Sequence, residues 1–188
     1  MNVNEDDILM IQIAAGDINA FESLVCRYQN QAIMFCYGQL NDYQLAEDIS
    51  QEAFFRLYKS ARNYQPQDNF KGFFYTIMLN LCRNASKKRH NISLTSDDPG
   101  SDISLNKPVD SSSYQTLESK ETGLKVRSAI NELPDKYHEA ITLRELEGLR
   151  YNEIAELLKV SVNEVKILLY RGRKQLATLL KGELENEL

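Results

Sequence analysis

Asp48 and Glu52, two carboxylates one helical turn apart, are the residues whose spacing most invites acid–base chemistry. Such chemistry needs a partner, and no histidine stands at metal-ligating spacing from them. His90 and His138 are the only histidines, one in a basic tail and the other in an amphipathic stretch. Cys26, Cys36 and Cys82 are odd in number, far apart and free of any Cys-x-x-Cys pairing. That pattern speaks against a disulfide framework and against zinc, and predicts small apolar core residues. Neither metal nor cofactor nor catalysis is expected; on residue type alone the two carboxylates solvate a helix.

A second chemistry has more support. Arg83, Lys87, Lys88 and Arg89 cluster without an intervening acid, as do Lys166, Arg171, Arg173, Lys174 and Lys181, with no acid between Glu164 and Glu183. The whole chain carries −5, but residues 1–90 carry only −1, residues 91–120 carry −3 and residues 121–188 carry −1. Local positive patches hold phosphates even on an anionic molecule, while the acidic remainder limits indiscriminate binding. Between the two clusters and the N-terminus lies an aromatic run: Tyr64, then Phe70, Phe73, Phe74 and Tyr75. Aromatic faces stack on unpaired bases and cations follow a single strand. Tyr64, Phe70, Tyr75, Lys71, Asn80 and Arg83 supply both chemistries close together in sequence.

The elements that must position these groups are helices. Apolar spacing is helical nearly throughout, with no sustained strand-type alternation, and 8 glycines and 4 prolines leave room for long helices. Helices are predicted over residues 5–15 and 17–38, the second with a stripe of Phe21, Leu24, Val25, Tyr28, Ala32 and Phe35. A third is capped by Asn41 or Asp42 and turns Leu45, Ile49, Ala53 and Leu57 to the core. After the turn-like segment around Pro66, a fourth covers residues 69–88, with Phe73, Phe74, Ile77 and Leu81 packing inward. Residues 91–120, rich in Ser, Asp, Pro and Gly, cannot build a core and read as a flexible acidic linker. Beyond it a helix over 121–133 stops at Pro134, which opens the next at its first turn and continues to Gly148. No apolar run approaches the ~18 residues that cross a bilayer, and the acidic start lacks a signal-peptide pattern, so a cytoplasmic protein without membrane insertion is expected.

Residues 151–158, a three-residue turn and a helix from Ser161 to about residue 181 form a helix-turn-helix pattern. Ser161 and Glu164 have capping-box spacing. Ala155 allows close approach of the two helices and Val165, ten positions later, fills the space between them. Val165, Leu169 and Leu176 fall on the buried side. Asn163, Lys166, Ile167, Tyr170, Arg171 and Lys174 fall outward, where such a helix reads base edges and holds phosphates.

The stretch from Ala129 to Leu149, with Leu133-Pro134 and Thr142-Leu143-Arg144-Glu145-Leu146, followed by residues 151–158, Val165-Lys166, Arg171, Arg173 and Leu176, resembles region 4 of bacterial RNA polymerase sigma factors. Independently, Asp17, Ala20 to Leu24, Tyr28 and residues 46–54 (Ala-Glu-Asp-Ile-Ser-Gln-Glu-Ala-Phe) resemble sigma region 2. The two resemblances stand in the right order and cover nearly everything but the linker, as in the small extracytoplasmic-function type. The resemblance implies an all-α protein of two helical domains: residues 1–90 for core polymerase binding and the minus-ten element, residues 121–188 for the minus-thirty-five element, joined by the flexible linker 91–120. It implies that Asp48, Gln51, Glu52 and Phe55, one stripe at i, i+3, i+4 and i+7, dock on the beta-prime coiled coil. Region 4 sits on the beta flap with Asn163, Lys166, Ile167, Tyr170, Arg171 and Lys174 toward duplex DNA. Melted minus-ten DNA falls to Tyr64, Lys71, Asn80 and Arg83, a flipped base entering the loop before Phe70 at a cost of a few kcal/mol. An anti-sigma factor is implied as a regulator.

Several residues depart from the family pattern. Phe73 replaces a usual tryptophan, Thr76 and Leu79 replace positions often basic, Lys159 stands at a turn position where glycine is common, and Arg150 replaces a hydroxyl cap. Asn163, Ile167 and Leu168 replace glycine, serine and arginine, so base preference does not carry over from relatives. Two rivals are a helix-turn-helix regulator with an N-terminal sensory or dimerisation domain, binding palindromes without polymerase, and a helical hydrolase using Asp48 or Glu52. The motif order and the aromatic loop favour a sigma factor, which is not an enzyme.

Overall fold

The computed structural model describes residues 4–67, 69–95 and 117–185. Among these residues every regular element is helical: α1 (Glu5–Ala14), α2 (Ile18–Leu40), α3 (Tyr43–Ser60), a 3-10 turn (Ala61–Asn63), α4 (Phe70–Thr95), α5 (Leu117–Asn131), α6 (Asp135–Ile141), a π-helical turn (Thr142–Leu146), α7 (Tyr151–Leu158) and α8 (Val162–Glu185). The chain divides into two compact units, Met1–Asn106 and Lys107–Leu188. At the ends of the predicted linker, α4 runs on to Thr95 and α5 begins at Leu117; its remainder, residues 96–116, lies outside the described residues.

Local chemistry sets the helix ends of the first unit. Glu5, Asp6 and Asp7 occupy the first turn of α1, where carboxylates oppose the helix dipole. Gly16, at φ +96°, makes the turn into α2. Asp17 caps α2 by accepting from the amides of Asn19 (2.9 Å) and Ala20 (3.4 Å). Both candidate caps near residue 41 are used, for different helices. Asn41 closes α2 in the left-handed conformation at φ 48°, while Asp42 opens α3 by accepting from the Leu45 amide at 3.0 Å.

α3 packs on α2 and α4, and α1 lies against α2 and the 3-10 turn. The buried face of α3 is Ala46, Ser50, Ala53, Phe54 and Leu57; it is rotated from the predicted stripe, since Leu45 and Ile49 are only half-buried. Ser50 is tolerated there because its hydroxyl donates to the Glu47 carbonyl of its own helix at 2.8 Å. Phe70 and Tyr75 are fully buried, with ring centroids 5.3 Å from Tyr28 and 5.0 Å from Phe35. These two aromatics belong to the core and not to a base-stacking surface, which corrects the sequence expectation. Leu79 is likewise buried, so a base at that position would have to enter an apolar core.

In the second unit α5, α6 and α7 all pack on α8. Pro134 takes the N-cap position of α6, just before the first turn where it was expected, and its carbonyl accepts from Tyr137 (2.8 Å) and His138 (3.0 Å). The predicted helix to Gly148 does not continue as α-helix. It widens into the π-helical turn, where the Glu147 amide donates to the Thr142 carbonyl at 3.1 Å, and then reverses at Gly148 with φ +73°. Ala129, Ile130, Leu133, Ile141, Leu143, Leu149, Ile154, Val165 and Leu169 form the core.

Gly172 explains how α8 meets α6. A Cβ placed on it would lie 2.8 Å from Cγ1 and 3.2 Å from Cδ1 of Ile141, a side chain that is itself fully buried. Only glycine permits that approach. The α7–α8 corner is as expected, with Ala155 and Val165 both buried.

Candidate nucleic-acid and polymerase interfaces

On α3, Asp48, Gln51 and Phe55 are exposed and Glu52 is half-buried. Phe55 is 51% and Tyr58 42% exposed, so this face presents two aromatic rings to solvent. Lys59 Nζ stands 4.0 Å from the centre of the Phe55 ring, and Tyr58 meets Phe21 edge-on at 5.1 Å. The Glu52 carboxylate accepts from Arg56 Nε at 2.7 Å. The face is therefore an aromatic platform with carboxylates along one side. Tyr58, absent from the sequence reading, lies three residues beyond Phe55; that spacing was the available signal.

The predicted minus-ten residues do not all share one surface. Tyr64 is half-buried, its phenol donates to the Asp7 carboxylate, and its ring lies 5.1 Å from that of half-buried Phe73. Along α4, Phe73 and Asn80 are seven residues apart, about two turns, and Arg83 follows Asn80 by three; all three lie on one side of the helix. Lys71 precedes Asn80 by nine residues, about two and a half turns, and so stands on the opposite side. Tyr64 meets Phe73, while exposed Asn80 and half-buried Arg83 follow about two to three turns further along the same side of α4, and exposed Lys71 stands on the other. Further along α4, Arg89 is held at the α2–α3 corner, 3.4 Å from the Leu40 carbonyl and 3.6 Å from Asp42.

α8 carries its six predicted residues outward: Asn163, Lys166, Ile167, Tyr170, Arg171 and Lys174 are all exposed. Val165, Leu169 and Gly172 face the core, while Leu176 is half-buried. Its start is fixed by a complete capping box: the Ser161 amide (2.8 Å) and hydroxyl (2.7 Å) donate to Glu164, and the Glu164 amide donates to Ser161 Oγ at 3.2 Å. Those hydrogen bonds hold the Glu164 carboxyl below its ordinary range. At α7, Arg150 offers no side-chain acceptor. The cap is one-sided there, with Glu153 reaching back to the Arg150 amide at 2.5 Å. Lys159 closes α7 at φ 58°, which keeps the turn in its left-handed form without glycine.

Not every base of the second cluster faces outward for a ligand. Arg173 donates twice to Glu145 Oε1, at 3.0 and 2.6 Å, a partner 28 residues away on the π-helical turn. Arg171 and Lys174 instead line a shallow cleft of about 260 Å³ with Tyr137, Gln175 and Thr178. Among the described residues, no group of three or more His, Cys, Asp or Glu side chains is arranged to hold a metal ion, and no helix is long and apolar enough to cross a membrane. Cys36 and Cys82 are buried, as expected of core residues, but Cys26 is exposed.

These features define a two-unit helical protein whose second unit presents a basic helix-turn-helix. Family models agree in the same order along the chain: Sigma-70 region 2 matches residues 24–92 and Sigma-70, region 4 matches residues 123–176. The ECF RNA polymerase sigma factor SigW of Bacillus subtilis is 31% identical over 178 residues, covering 90% of this chain and 94% of SigW. The RNA polymerase sigma-H factor of Pseudomonas aeruginosa is 28% identical over 188 residues, covering 94% of each chain. The fold is shared with the sigma factor RpoE from Bartonella quintana, solved in complex with the anti-sigma factor NepR. The TM-score is 0.70 at 21% identity, over 86% of this chain and 96% of that one. The chain belongs to the extracytoplasmic-function family of RNA polymerase sigma factors. It acts in transcription initiation, as a partner of core RNA polymerase and of promoter DNA.

Proposed function

We propose that the work of this sigma factor is divided among three surfaces. The α3 face of Asp48, Gln51, Glu52 and Phe55, extended by Tyr58, docks on the beta-prime coiled coil of core polymerase. The side of α4 that carries Phe73, Asn80 and Arg83, with Tyr64 beside Phe73, receives the melted minus-ten strand, and Lys71, on the opposite side of α4, is left out of this surface. The outward face of α8 enters duplex DNA at the minus-thirty-five element while its unit sits on the beta flap. Residues 1–90 and 121–188 act as two weak modules made effective together, because polymerase fixes their separation and raises the local concentration of each for its element. Binding and conformational change suffice for this task, so the chain is not an enzyme, and it works in the cytoplasm where polymerase and promoters are.

One observation carries the reading. Six outward residues on α8, three of them cationic, sit on a helix whose start is fixed by a full capping box and whose opposite face is buried. That is the arrangement by which a helix-turn-helix reads DNA. Exposed Phe55 and Tyr58 support a protein-docking role for α3. Control by an anti-sigma factor is supported by the Bartonella relative, which was solved with one.

Reconstitution with bacterial core polymerase tests this directly. Promoter-specific transcripts from a genomic promoter library are expected. Asp48→Ala combined with Glu52→Ala should weaken core binding at unchanged helicity, and normal affinity would clear that face of the role.

A further inference from the structure

Resting on α8 as the duplex-reading helix, we propose that Ile167 recognises the C5 methyl group of a thymine in the upstream promoter element. This chain would then select a T·A pair at that position by apolar contact and not by a hydrogen bond. Ile167 is 49% and Tyr170 70% exposed. Neither exposure is unusual for a single residue; their place is what matters. They are one turn apart near the start of a helix that buries Val165, Leu169 and Gly172 on its other side. Exposed Lys166, Arg171 and Lys174 surround them, and no acid falls between Glu164 and Glu183. An apolar spot ringed by cations suits a polyanion that displays an apolar group, more than it suits an apolar protein surface.

Among the groups that base pairs display in the major groove, the bulky apolar one is the C5 methyl of thymine, which lies beside the O4 acceptor of the same base. Isoleucine has no donor or acceptor, so opposite guanine, cytosine or adenine it would cover polar edge atoms and leave them unpaired, which is costly. Opposite thymine it removes a methyl group and its own terminal methyl groups from water together. Tyr170 widens the same apolar strip along the groove. Selectivity therefore comes both from a small attraction to thymine and from a penalty against the other bases.

The test uses the holoenzyme, reconstituted from core polymerase and the full chain, with a duplex upstream element selected from a promoter library. Each thymine in turn is replaced by deoxyuridine, which removes only the methyl group. At one position the loss should weaken binding roughly fourfold, the worth of about one buried methyl. Ile167→Ala should bind the thymine duplex less tightly and no longer distinguish thymine from uracil there, while Ile167→Val keeps part of the discrimination. The side chain is exposed, so helicity should not change. Undiminished thymine–uracil discrimination by Ile167→Ala, or indifference of the wild type at every thymine, would overturn the proposal, as would unchanged duplex affinity of Ile167→Ala. Failure of the parent reading looks different: the wild-type holoenzyme would select no upstream element at all, and both claims would fall.

Discussion

The phenol of Tyr64 donates its hydrogen bond to the carboxylate of Asp7, 57 residues earlier in the chain. Asp7 is wholly buried, and its neighbour Asp6 accepts at 2.5 Å from both Arg27 Nη1 and the Tyr28 hydroxyl. Burying carboxylates is costly unless donors meet them, so α1 is tied to α2 and to the loop before α4 through these pairs. The first helix thereby sets the position of a residue proposed to meet melted DNA.

Tyr64→Phe keeps the ring against Phe73 but removes the hydroxyl that serves Asp7. A loss of about 1–3 kcal/mol is expected, the cost of depriving a buried acceptor of a donor. Urea unfolding with an unchanged slope and a lower midpoint would register it; an unmoved midpoint would mean that Asp7 does not depend on this hydroxyl.

Lys159 occupies left-handed backbone at φ 58°, where a Cβ is unfavourable and glycine is not. Lys159→Gly should raise the stability of the α7–α8 corner by about 1 kcal/mol. Slower amide exchange in both helices is the measurement, and faster exchange would refute the strain.

Gly172→Ala tests opposing effects. Helix propensity alone would favour alanine by about 1 kcal/mol. Its Cβ, however, would meet Ile141 Cγ1 at 2.8 Å in a packed core, and overpacking costs typically about 1–3 kcal/mol. Net destabilisation of the second unit is expected, readable as a lower unfolding midpoint. In a double-mutant cycle with Ile141→Ala, which removes both Cγ1 and Cδ1, disappearance of the Gly172→Ala penalty would identify that contact as the cause.

His138 is buried on α6, and burial pushes its imidazole below the ordinary value of 6.5 against the opposing pull of Glu139 and Asp135. The unfolded chain therefore takes up the proton first. Stability should fall as pH drops below about 6.5 and stop falling below the folded value, with a slope of at most about 1.4 kcal/mol per pH unit. His138→Gln should flatten that window. The Glu164 cap acts separately: its carboxyl is held low, so its contribution is present above its ordinary 4.5 and lost as pH falls through the folded value. Amide exchange of α6 and α8 between pH 7 and 5 checks the first effect free of the second.

Arg171 and Arg173, two residues apart, should behave differently. Arg171→Ala is expected to weaken upstream-element binding and reduce its salt slope by about one. Arg173→Ala should leave that slope unchanged and cost at most about 1 kcal/mol of stability, because its partner is the exposed Glu145. Equal salt slopes for the two variants would contradict the division.

What could be read from one dimension was whatever local chemistry dictates. Helical periodicity, the cap at Asn41 or Asp42, the Ser161–Glu164 box and the Ala155–Val165 spacing each depend on residues within a few turns of one another, and each stands where the residues put it. The outward residues of α8 were legible for the same reason, since one strongly amphipathic helix declares its own buried side. Packing decided the rest. Phe70 and Tyr75 look suited to stacking on bases until α2 supplies Tyr28 and Phe35 to cover them. The packing of α3 on α2 and α4 turns its buried face toward Ser50 and away from Leu45 and Ile49, and Ser50 is tolerated there because its hydroxyl finds the Glu47 carbonyl. Arg173 leaves the phosphate-binding set because Glu145 arrives from the π-helical turn. In each case a side chain had two acceptable environments, and only the approach of a distant helix determined which one it occupied.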